Sequence, residues 1–82
     1  MSRRENNKNL NYCSRRVLQI VNEQSDEIGL EMIKYINHWH AVTTICQEEP
    51  PFKDYIADGI DQSKRGAARK ALRELYLKTY SN

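Results

Sequence analysis

The sequence predicts an all-α fold, a small bundle of three to four helices with short loops. Three observations point to it. Apolar residues recur at three- and four-residue steps along much of the chain. The final segment is rich in Ala and Leu, both good helix formers. The proline pair at 50–51 and Gly59 divide the rest into helix-sized pieces.

The elements follow in order. Residues 1–9 are polar and Asn-rich and read as a flexible tail; residues 10–80 read as one helical domain. Over 10–21 the apolar residues are Leu10, Cys13, Val17, Leu18, Ile20 and Val21, with Arg15, Arg16 and Gln19 on the other side. "NEQSD" at 22–26 is the joint, where Ser25 or Asp26 can cap the next helix. Glu27 and Glu31 suit its positive end.

The second helix runs over 26–47. Ile28, Met32, Ile36, Trp39, Thr43 and Cys46 form its stripe, widened by Tyr35 and Val42. Leu30 and Ile33 fall outside it and give the helix a second apolar side, toward another helix or another chain. Gly29 costs about 1 kcal/mol relative to Ala. "AVTTIC" at 41–46 is β-branched, and a strand is the rival reading there.

"EEPP" ends that helix. "PFKDYIADG" reads as a short helix over 51–58 closed by Gly59. The last helix covers 62–79. Its inner stripe is Ala68, Ala71, Leu72, Leu75, Tyr76 and Thr79, with Arg69, Lys70 and Arg73 opposite. Lys70–Glu74 and Glu74–Lys78 are supporting pairs. Trp39, Ile36, Met32, Val17, Ile20, Leu72 and Leu75 are the expected core.

At 82 residues, 39% hydrophobic and 29% charged, the chain suits one small domain with a limited core. A partner, or a second copy in a homodimer, could complete that core. Cys13 and Cys46 are too few for a secreted disulfide scaffold, which favours reduced thiols and the cytoplasm. The N-terminus lacks the apolar stretch of a signal peptide, and no run is long enough to span a membrane. The net charge of +2 conceals segregation: +4 over 1–22, −7 over 23–61 and +5 over 62–82. Basic ends can attract the acidic middle, or face a nucleic acid, an acidic protein or an anionic membrane surface.

Catalytic and metal chemistry find little support. On a helix, His38 and His40 point to opposite edges of the Trp39 face and cannot share a metal. Cys13 falls on an apolar face and reads as a buried structural thiol. Glu48, Glu49, Asp54, Asp58 and Asp61 lack the spacing of a calcium loop, and there is no glycine-rich phosphate loop. No catalytic residue, metal or cofactor is expected.

The most specific local pattern is "FKDYIADGIDQSKRGAARKALREL" at 52–75. It resembles the helix-turn-helix of bacterial and phage repressors, with Gly59 as the turn glycine and Ile60 as the buried residue after it. That resemblance implies DNA binding through Gln62, Ser63, Lys64, Arg65 and Arg69. Tyr55 stands where the family has a small residue, and Gly66 interrupts the recognition helix. By length, Asn-rich start and charge-segregated body, the chain also resembles small cytoplasmic regulators of large tailed phages, the antiholins of T-even phages among them. That resemblance implies binding to the cytosolic segment of a holin and delay of host lysis. The expectation is therefore a non-enzymatic regulator that binds a protein partner through Leu30, Ile33, Arg65, Arg69, Lys70 and Arg73. The helix-turn-helix DNA binder is the alternative.

Overall fold

Only the last of the predicted helices is a helix. The computed structural model describes residues 12–47, 50, 52 and 54–80. It contains strands β1 (Tyr12–Val21), β2 (Glu27–Tyr35), β3 (Trp39–Cys46) and β4 (Asp54–Asp61), then helix α1 (Lys64–Tyr80). The strands form one antiparallel sheet in the order β1-β2-β3-β4, and α1 lies on one face. This two-layer mixed α/β architecture replaces the all-α bundle. The expected tail at 1–9 and the residues Glu48, Glu49 and Pro51 lie outside the described residues.

Alternation explains the strands. In β2, Ile28, Leu30 and Met32 are buried; in β3, Ala41, Thr43 and Ile45 are; in β4, Ala57 and Gly59 are. Every second residue faces α1, the period of a half-buried strand. The register sets these residues in rows across the inner face: Leu18–Leu30–Thr43–Ala57, Ile20–Ile28–Ile45–Tyr55 and Arg16–Met32–Ala41–Gly59. The β-branched "AVTTIC" is indeed strand.

The turns follow from local chemistry. Between β1 and β2, the Asn22 side-chain carbonyl accepts the N–H groups of Gln24 at 2.9 Å and Asp26 at 3.0 Å. Ser25 takes a left-handed φ of 66° there. Between β2 and β3, the Tyr35 N–H donates to the His38 carbonyl, and the His38 ring stacks on Tyr35 at 4.7 Å. Ile36, expected in the core, sits on this turn and is 81% exposed.

The core is thin and built of small residues near the N-terminal half of α1. Ala41, Ala67 and Ala71 are fully buried, with Leu30 and Met32 beside them. Gly59 completes this seam. A Cβ at Gly59 would lie 2.6 Å from the Lys70 Cβ, and 2.7 Å from both the Ala67 carbonyl oxygen and the Ala71 nitrogen. The glycine therefore marks where the helix backbone rests on β4, not a turn between helices. Toward the C-terminal half, Ile28, Ile45, Ala57 and Leu75 form a second cluster. Buried Thr43 donates its hydroxyl to the Gly29 carbonyl at 2.9 Å, which satisfies the one buried polar side chain among the described residues. Trp39 is half-buried at the margin of the first cluster instead of central. Val17 and Ile20 are exposed, as is Cys13 at an irregularity in the β1 register.

α1 is closely fixed at both ends. Ser63 caps it: its hydroxyl oxygen accepts the Gly66 N–H at 3.0 Å. The Asp61 carboxylate in turn accepts the Ser63 N–H at 3.0 Å and hydroxyl at 2.9 Å, and pairs with Lys70 at 3.1 Å. A Cβ at Gly66 would lie 2.7 Å from the Ser63 hydroxyl oxygen, so the glycine makes room for the cap. At the other end, the Tyr80 hydroxyl donates to the Asp26 carboxylate at 2.6 Å and accepts from Asn22 at 2.8 Å. Burial, then the Asp26 carboxylate, raise the Tyr80 pKa.

The cap carries a pH signature. The Ser63 N–H, then Lys70 and the Ser63 hydroxyl, hold the Asp61 pKa at about 2, below its ordinary 3.8. A depressed carboxylate stabilises the fold above its unfolded pKa, and that contribution is lost as pH falls from about 4 to about 2. Urea midpoints at pH 5 and pH 2.5 should therefore fall further in the wild type than in Asp61→Asn. Equal falls would contradict the cap.

Candidate interaction surface

A four-stranded sheet is about 19 Å wide at about 4.8 Å per strand, and a helix is about 10 Å across. One helix therefore leaves part of it uncovered. α1 packs on β4 and β3, touches β2 only at its margin and does not reach β1. The inner face of β1, Arg16, Leu18 and Ile20, is consequently open: Leu18 is 45% exposed and Ile20 41%.

The flank of α1 that looks toward β1 carries Ala68, Leu72 and Tyr76. Ala68 is half-buried against the first core cluster, and the Tyr76 hydroxyl accepts from Asn22, just past β1, at 3.2 Å. A groove of about 500 Å³ runs along this flank, lined by Ala68, Leu72 and Tyr76 with Arg65, Arg69 and Arg73 above them. Its floor is apolar and its rim is guanidinium.

The arginines sit four residues apart on one helix, about 6 Å per step and about 12 Å in all. All three are exposed, and none is in an ion pair among the described residues. Lys64 and Lys34 add charge nearby, with their ammonium groups 5.6 and 5.8 Å from the Trp39 ring centroid. The first turn of α1 has no acidic residue of its own, and the Asp61 carboxylate at its N-terminus is engaged with Ser63 and Lys70. The surface is therefore electropositive along one side of an apolar trough.

The two free edges of the sheet differ. On β4, Lys70 and Lys78 donate to the Ile60 and Ile56 carbonyls at 3.0 and 2.7 Å. These lysines do not pair with Glu74 as the spacing predicts. On β1, the ion pair between Arg15 and Glu31 lies on the outer face.

The predicted site residues divide accordingly. Leu30 is buried at 6% exposure and is unavailable to a partner. Ile33 faces the opposite side of the sheet, in a row with Arg15, His40 and Ile60. Lys70 is engaged with Asp61 and the β4 edge, whereas Arg65, Arg69 and Arg73 stand together. Of the DNA-reading set, Gln62 is exposed, Ser63 serves as the cap, and Lys64 lies over Trp39. Residues 54–61 are strand, so no helix precedes α1 to make a helix-turn-helix. Arg16, Leu18 and Ile20 were hidden by the helical reading; alternation in "RVLQI" is the signal that marks them.

The histidines are held apart in a different way from the helical one. His38 bonds Asn37 at 2.8 Å, while His40 bonds Asp58 at 2.9 Å on the outer face. Among the described residues, no three His, Cys, Asp or Glu side chains are grouped to hold a metal. No described helix is long and apolar enough to cross a membrane. No family model matches the chain, and neither the curated proteins nor the solved structures include a significant match to it.

Proposed function

We propose that this chain is a non-enzymatic binding module that engages an acidic protein partner along α1 and the open inner face of β1. The observation that carries this reading is the junction of an apolar groove with a row of unpaired arginines. Phosphate backbones need the cations but not the apolar floor, whereas protein hot spots combine both. A holin's cytosolic segment, the partner implied by the resemblance to phage lysis regulators, is one protein to test.

The test is capture from nuclease-treated extract of the cell that makes the protein. Wild-type chain should retain a partner that Arg65→Glu/Arg69→Glu/Arg73→Glu releases at least tenfold, with far-UV helicity unchanged. Undiminished capture by the triple variant contradicts the reading. Loss of all capture on nuclease treatment moves it to nucleic acid, for which binding to random duplex DNA should weaken steeply with salt.

A further inference from the structure

The open inner face of β1, beside the flank of α1, offers a seat for one more helix, and its charge selects which kind. Resting on the proposed function above, we infer that the partner presents an acidic amphipathic helix, which lies beside α1 over the inner face of β1. Three observations carry this.

The first is width. The inner residues of β2, β3 and β4 are largely buried beneath α1 while those of β1 are exposed, so a helix about 10 Å across would rest on β1 against the flank of α1. The seat is also long enough: β1 spans 10 residues, about 33 Å, and a 16-residue helix is about 24 Å.

The second is floor chemistry. Leu18 and Ile20 rise from β1, and Leu72 and Tyr76 form the flank of α1. An apolar stripe at three- and four-residue spacing would cover all four, as helix-in-groove recognition does.

The third is charge. Arg16 stands on the β1 side, and Arg65, Arg69 and Arg73 stand on the α1 side. Carboxylates flanking the apolar stripe would meet guanidinium groups on both walls.

The chain's own segments fit poorly. Residues 1–11 read "MSRRENNKNLN", with three basic residues, one acid and no apolar stripe. The helix of a second copy is basic and already spends its apolar face on its own sheet.

Synthetic 16-residue probes test this by fluorescence anisotropy against the full chain. The first carries Leu at heptad spacing with Glu on its flanks. The second disperses the same residues, the third has Lys for Glu, and the fourth alternates Val and Glu as a strand former. The first should bind at least tenfold tighter than the other three and gain helicity on binding. Leu18→Glu, and separately Arg69→Glu on the exposed rim, should weaken it at least tenfold. Val17→Glu adds the same charge one residue away on the outer face and should change it less than twofold. Thermal unfolding of each variant checks that the fold is intact.

Equal binding of the first three probes overturns the inference, as does tightest binding of the strand former, which would mark edge addition at β1. Concentration-dependent dimerisation that Leu18→Glu abolishes also overturns it, in favour of a second copy. If the probes fail while capture from extract stays sensitive to the arginine reversal, only the helical partner is lost and the binding function stands.

Discussion

Leu30→Asp should destabilise the protein by about 4 kcal/mol or more, while Ile36→Asp should change its stability by less than about 0.5 kcal/mol. Leu30 is 6% exposed and faces α1 from the middle of β2, between Leu18 and Thr43. A carboxylate there loses its hydration with no cation facing it from those neighbours. Ile36 stands on a turn, and a carboxylate there remains in water. The pair also separates the two readings of this segment. A helix over 26–47 would bury Ile36 and leave Leu30 off its main stripe, reversing the outcome. Urea unfolding of both variants measures it.

Gly59→Ala should cost about 2–3 kcal/mol, near the upper range for overpacking, and Gly29→Ala should cost well under half of that. The new methyl at 59 meets helix backbone atoms at 2.7 Å, and neither β4 nor α1 can yield without disturbing the Ala67–Ala71 seam. At 29 it meets only the Thr44 hydroxyl at 3.1 Å, which can rotate away. In a domain of this size 1 kcal/mol moves the melting temperature by about 4–8 °C, so thermal unfolding resolves the difference. Equal effects would contradict the close approach of α1 to β4.

The contrast between Leu30 and Ile36 shows why the sheet was hard to read. Ile28, Met32 and Ile36 are four apart, and four residues return a side chain to the same side of a helix and of a strand alike. That part of the stripe is therefore compatible with both, and what decides is the residue that fits only one. Leu30 was that residue: outside the helical stripe, it is inside the alternating one. In β4 the buried inner positions are Ala57 and Gly59, too small to announce a buried face. Their size is a consequence of the helix lying so near.

α1 was legible because nothing about it is ambiguous. Alanines and leucines at helical spacing, a serine cap and a basic outer arc agree on one structure. The arginine ridge was legible for the same reason. The open face beside it was not, since that face consists of alternate residues of β1, and those take meaning only once β1 is known to be a strand that α1 leaves uncovered.

The proposed function puts the partner on the inner face of β1 beside α1, and not on the outer face of the sheet. Methyl-labelled NMR titration with the acidic amphipathic probe tests it most directly. The Leu18, Ile20 and Leu72 methyls should shift progressively with added probe, while those of Val17, Val42 and Ile56 on the outer face stay in place. Shifts confined to the outer-face methyls, or equal on both faces, would contradict the account.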